Sequence, residues 1–255
     1  MNYRITSIIA LTCALLASPA YPQDNAAGKK DKSEAAAETG GDAAAAGLPE
    51  SVKKLSAADR KKLQDLLTDA SAFIGGIRIQ EAFEKIIDAE AMAPDLFQIH
   101  NLKGAAYTKI RDFPKARKSF ERSLELNPTA FMSKFNITEL DFVEHKHADA
   151  EKNFSKLLAE SPDMNLGTRR LIEFKILITL LKQDKDAEAK AIQDKFNFME
   201  DTPAYYFGNA AIAFDAEDEE EARGWIRSAE KIYSAQEVSV YVDSFIEMGW
   251  IDNLQ

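Results

Sequence analysis

The chain has 255 residues, 45% of them hydrophobic and 29% charged, and a net charge of −10. That is enough material for one substantial domain or a repeat array. From Glu200 onward there are thirteen acids against three bases (Arg223, Arg227, Lys231), an imbalance that argues against nucleic acid as a partner.

The first element is at the very start. Arg4 supplies a positive charge, and Ile5 to Ala17 form an uncharged apolar run. The run is about 13 residues, shorter than the roughly 20 a bilayer span needs. Ser18-Pro19-Ala20 then place small residues before a cut after Ala20. This is the layout of a secretory signal peptide over residues 1–20, with a retained N-terminal anchor as the alternative. The sole cysteine, Cys13, lies inside the run. It is either a spacer lost on cleavage or a lipidated residue, and Ala10-Leu11-Thr12 before it poorly suit the second reading. Without it the exported protein has no thiol, so neither disulfides nor thiolate chemistry can hold or serve it. Residues 21–50 are rich in Ala, Gly, Lys, Asp and Glu, with almost nothing to bury. This composition predicts a disordered linker.

Over residues 51–255 the polarity pattern changes. Apolar residues recur at spacings of three and four, which predicts amphipathic helices, and no period-two alternation predicts a strand. The helices repeat. Ala82, Ala116, Ala150, Ala187 and Ala222 are separated by 34, 34, 37 and 35 residues. Four residues after each stand Ile86, Phe120, Phe154, Ala191 and Ile226. Pro94, Pro128 and Pro162 close three units at a spacing of 34. The expected units are 63–94, 97–128, 131–162, 168–199 and 203–234, followed by a capping helix over 237–250 that covers the last hairpin. The fourth is the least regular, and the third departs in its first helix, where Thr138 and Asp141 stand.

The unit from Pro94 to Pro128, with Gly104, Tyr107, Phe113, Ala116, Phe120 and Pro128 in place, resembles the tetratricopeptide repeat family. The resemblance covers roughly Leu63 to Ser234. It implies an all-α solenoid of about five helical hairpins. Gly104 and Ala116 would be small where two helices cross, Tyr107 and Phe120 would fill the space between hairpins, and Pro128 would end a helix. It also implies a concave groove lined by the first helix of each hairpin. The groove positions projected from it are Gln98, Asn101, Ala105 and Thr108 in the second unit, Met132, Phe135, Glu139 and Phe142 in the third, and Arg169, Ile172 and Ile176 in the fourth. Such a mixed surface suits an amphipathic or extended protein segment. For Phe135 and Phe142, buried packing is the competing expectation. Relatives that grip a C-terminal carboxylate use paired basic residues and asparagines. Asn101 fits that pattern, but Ala105 and Gln98 do not.

No catalytic constellation stands out, and no cofactor is expected. His145 and His147 flank a turn with no cysteine or HExxH-type partner, so solvated turn residues explain them better than a metal pair. His100 reads as core. Gly75-Gly76 reads as a helix end, and no nucleotide-binding glycine pattern is present. The run Glu217 to Glu221 suits the start of a helix through the dipole. These readings point to a non-enzymatic scaffold or adaptor of the cell envelope, periplasmic or secreted, that binds a protein partner. A self-assembling envelope protein and an accessory subunit of an enzyme are the other readings. A basic cluster (Lys109, Arg111, Lys115, Arg117, Lys118, Arg122) facing the acidic end of another copy would give head-to-tail association.

Overall fold

The structure, a computed structural model, describes residues 48–252. The expected signal peptide and all but the last residues of the expected linker lie outside the described residues. Within them the chain is all-helical: α1 Glu50–Lys53, α2 Ala57–Gly75, α3 Ile79–Met92, α4 Phe97–Lys109, α5 Phe113–Leu126, α6 Phe131–Val143, α7 His147–Glu160, α8 Leu166–Leu181, α9 Asp186–Gln193, α10 Ala204–Asp215, α11 Glu219–Glu230 and α12 Ala235–Glu247. Helices α2 to α11 pair as five consecutive antiparallel hairpins.

Short polar signals start the helices. The Ser56 hydroxyl accepts from the Asp59 amide at α2, Asp112 caps α5 just before Pro114, Asn165 caps α8, and Asp218 caps α11. Ser234 and Glu237 form a reciprocal capping box at α12. Asp218 and Glu219 to Glu221 thus sit at a helix N-terminus, where the dipole favours acids.

The turn inside each hairpin repeats one backbone conformation. Ile77, Arg111, His145, Asp184 and Glu217 all have φ between 56° and 60°. Five residues after each stands a fully buried alanine: Ala82, Ala116, Ala150, Ala189 and Ala222. The alanine is the fourth residue of every second helix, where the two helices of a hairpin cross. This shows where the sequence periodicity misreads the fourth hairpin. Ala187 and Ala191 are exposed, and Ala189 holds the crossing position. Alanines at every second position leave the helical register ambiguous, and α9 is only 8 residues long.

Because α9 stops early, Phe196 in the following loop does the packing. An added Cβ on Gly208 of α10 would come within 2.6 Å of its ring. Arg170 clamps the same loop to α8, donating to both Glu200 carboxylate oxygens at 2.7 Å.

Ile77 is the least suitable of the five turn residues, since a β-branched side chain clashes in the left-handed region. It is 48% exposed, so little packing is lost on replacing it. Ile77→Gly is expected to raise stability by about 1 kcal/mol, read as a higher midpoint in urea. Gly104 presents the opposite case. An added Cβ would lie 2.4 Å from the ring of Phe120, itself buried in the hairpin. Gly104→Ala gains helix propensity of about 1 kcal/mol but overpacks by about 1–3 kcal/mol. Net destabilisation is expected, and Gly104→Ala with Phe120→Leu should recover much of it.

The capping helix is present as α12, packs on both helices of the last hairpin and reaches beyond it to α8. It begins beside α11 and then crosses the first helices. Tyr241 and Phe245 pack on Phe174 of α8 and Phe207 of α10, and Phe245 and Trp250 pack on Phe214. These rings form one aromatic cluster that holds α12 across α8 and α10.

Candidate binding surface

The hairpins have an inner and an outer side. Along the inner side first helices pack directly on one another, α2 on α4, α4 on α6 and α8 on α10, whereas successive second helices share no more than marginal contact. The first-helix face is therefore the tighter, concave one.

The projected groove residues lie on these helices, but most are spent on packing. Phe135 and Phe142 are core: both pack on Phe154 of α7, and neither is more than 2% exposed. They are corrected from groove contacts to core, where they join Val143, Ala150 and Leu157 between α6 and α7. Asn101 is buried and bridges two hairpins, its Oδ1 accepting from Ser133 Oγ at 3.1 Å and Asn136 Nδ2 at 3.0 Å. Thr108 turns its hydroxyl back to the Gly104 carbonyl at 3.0 Å. Ala105, Ile172 and Ile176 are buried. Arg169 donates to the Pro162 carbonyl at 2.7 Å and braces the turn before α8. Gln98 and Met132 remain half-buried. The Gln98 Oε1 has no hydrogen-bond partner.

Glu139 is buried beneath α12 and belongs to a charged ladder that no projection singled out. Its Oε2 lies 3.0 Å from Lys175 Nζ, with side-chain exposures of 5% and 7%. Lys175 also donates to Ser244 Oγ of α12 at 3.1 Å and lies 4.6 Å from the centroid of Phe142. Further along α12, Glu247 accepts from Arg111 at 3.0 Å, reaching the turn of the second hairpin. Between them Asp243 is buried, with Oδ2 unpaired. Burial pushes its carboxyl up to about 7; Lys109 and Lys175 oppose this, and Glu247 and Glu139 add to it. Burial likewise raises Glu139 above the usual carboxylate range, against the pull of Lys175. One signal could have exposed this ladder: Lys175 is a cation inside LIEFKILITLL, where only Glu173 and Thr179 are otherwise polar, and such a charge needs a partner.

The basic cluster is mostly neutralised within the chain. Arg111 pairs with Glu247, Lys115 with Asp112, Arg117 with Asp141 and Glu144, and Arg122 with Glu125. The charge contrast behind head-to-tail association is correspondingly weak. His145 and His147 are neighbours with centroids 5.7 Å apart. Among the described residues no group of three or more candidate ligands is placed to hold a metal. His100 is buried, with Nε2 3.1 Å from the Pro94 carbonyl oxygen. Among the described residues no helix is long and apolar enough to cross a membrane.

Five hairpins with a shared turn, a shared crossing alanine and crowded first helices define an α-solenoid of the kind that presents an inner face to other proteins. Residues 97–130 match the sequence model of the family described as Tetratricopeptide repeat. That one hairpin carries a tetratricopeptide repeat in sequence, and the other four repeat its turn conformation and its crossing alanine. A solved structure, a tetratricopeptide repeat protein from Parabacteroides merdae, is similar with a TM-score of 0.55 at 18% identity, over 72% of this chain and 71% of that one. It shares the fold. No curated protein matches the chain.

Proposed function

We propose that this protein is a non-catalytic adaptor of the cell envelope that holds a segment of a partner protein against its first-helix face. Tetratricopeptide repeats generally mediate protein–protein interaction, and that general role is the base of the reading. The envelope location rests on the signal-peptide layout of residues 1–20.

The observation that carries the site is the unequal occupancy of the inner face. Over α8 and α10 the chain's own α12 fills it through Tyr241 and Phe245. The N-terminal halves of α4 and α6 lie away from those contacts and carry the half-buried Gln98 and Met132. An amide and a flexible thioether on neighbouring first helices suit an extended or amphipathic segment that brings polar backbone and an apolar side chain.

The test is affinity capture from an envelope extract with the wild-type chain and with Gln98→Arg/Met132→Glu. One protein captured by the wild type, lost with the double variant and retained with the surface control Lys118→Ala supports the reading. A catch that the double variant leaves unchanged removes it.

A further inference from the structure

At the C-terminal end of the solenoid a row of aromatic rings is left half-open. Phe198 lies 6.0 Å from Tyr205, Tyr205 5.4 Å from Tyr206 and 5.9 Å from Trp225, and Tyr206 6.2 Å from Tyr233. Phe198 is 64% exposed and its neighbour Met199 79%. A contiguous patch of this kind is unusual on a surface that has no use for it.

Its fringe is acidic. Glu221 accepts from Trp225 Nε1 at 3.2 Å, and Glu219 and Glu220 precede it on α11. At the other end Asp201 and Glu237 act on Tyr233, whose hydroxyl is raised by burial and then by Tyr206 and these two carboxylates. Of the nearby cations, Arg223 pairs with Glu219 and Arg170 with Glu173 and Glu200, while Arg227 and Lys231 extend into solvent. Elsewhere this protein does place cations on rings. Arg78, Arg111, Lys115, Arg170, Lys175 and Lys182 lie over Phe73, Phe113, Tyr107, Phe196, Phe142 and Trp250. All of these cation–π contacts among the described residues fall outside the row.

We propose that the row Phe198–Tyr205–Trp225–Tyr206–Tyr233 is a docking surface for a lysine- or arginine-bearing segment of a partner protein. Ring faces attract a cation, most strongly at tryptophan and tyrosine, and a guanidinium can stack on a ring while donating to a flanking carboxylate. An acidic segment would meet like charge at both ends of the row. The inference rests on the reading of the protein as a scaffold but uses a surface separate from Gln98 and Met132.

Trp225 and Trp250 are the two tryptophans, so Trp250→Phe makes Trp225 the reporter of the row. In that background, hexa-arginine should produce a saturable change in Trp225 fluorescence, and hexa-glutamate none. Tyr205→Leu/Tyr206→Leu, verified as folded by circular dichroism, should weaken binding about tenfold. Tyr205→Phe/Tyr206→Phe, which keeps the rings and protects the test against a folding defect, should retain it. Three results would overturn the proposal: no saturable response; an affinity that ignores the leucine changes but disappears with Glu219→Gln/Glu220→Gln, which would leave only an acidic run; or a concentration-dependent dimer lost in the leucine variant with no peptide binding, which would assign the row to a second copy. If a partner is captured through Gln98 and Met132 but hexa-arginine does not bind, the scaffold reading stands and this surface alone falls.

Discussion

Replacing Lys175 by methionine is expected to destabilise the protein by about 3–5 kcal/mol, the usual cost of stripping one partner from a buried ion pair. Methionine fills nearly the same volume, so the loss is electrostatic. It leaves Glu139, 3.0 Å away and 5% exposed, without its cation, and also removes the donor to Ser244. The double variant Lys175→Met/Glu139→Gln should regain most of the loss, because neither group is then a desolvated charge. The single variant carries a further signature. Burial already holds Glu139 above the ordinary carboxylate range, and without Lys175 it rises further. The folded state then keeps a proton that the unfolded state releases, so the defect should shrink as pH falls. Urea titrations at pH 5 and pH 8 on the wild type, the single and the double variant would show this. If the single variant matched the wild type at both values, Glu139 would not depend on Lys175.

Asp243 should make the stability of α12 depend on pH. Its folded value of about 7 stands well above the 3.8 of a solvated aspartate. Between these values the folded state holds a proton that the unfolded chain has lost. Stability is therefore highest at acid pH, falls as pH rises toward 7 and levels off beyond it. The span of the shift bounds the effect at about 4 kcal/mol. Asp243→Asn should flatten this slope, so that its stability relative to the wild type rises by about 2–3 kcal/mol between pH 5 and pH 8. Hydrogen exchange in α12 is the direct readout, since its amides should exchange faster at pH 8 than intrinsic rates explain in the wild type but not in the variant. The groups facing Asp243 are Lys109, Lys175, Glu247 and Glu139. Because Lys175 is one of them, its replacement and that of Asp243 should not be additive. If Asp243→Asn shifted both pH values equally, titration of this carboxyl would not be the cause.

Both expectations concern the same feature. The helix α12 is bound to the inner face by an aromatic cluster and a charged ladder. The rings supply most of the burial, while the ladder adds charges whose desolvation offsets much of their attraction. The ladder thus sets how firmly α12 sits and leaves the identity of the fold to the rings.

The hairpins were legible because a repeat leaves its mark at every period. Small residues are forced where two helices cross, and that constraint returned as Ala82, Ala116, Ala150 and Ala222. It failed at one place for a local reason. Ala187, Ala189 and Ala191 are chemically equal, and only the position of the turn at Asp184 selects Ala189. The projected binding residues fared less well. Gln98 and Met132 stay partly open, but Asn101, Phe135, Glu139 and Phe142 are closed over by neighbours that are distant in sequence.

The sequence by itself determined an all-α repeat, its period, its hairpin turns and the acidic character of its end, since each follows from local composition and spacing. Only the tertiary structure decided the course of α12, the pairing of Glu139 with Lys175 and of Arg111 with Glu247, and the half-open row of rings on α10 and α11. Those depend on which surfaces meet across many residues of chain, and an amphipathic helix with aromatic residues on one face does not state in its own sequence which hydrophobic surface will receive it.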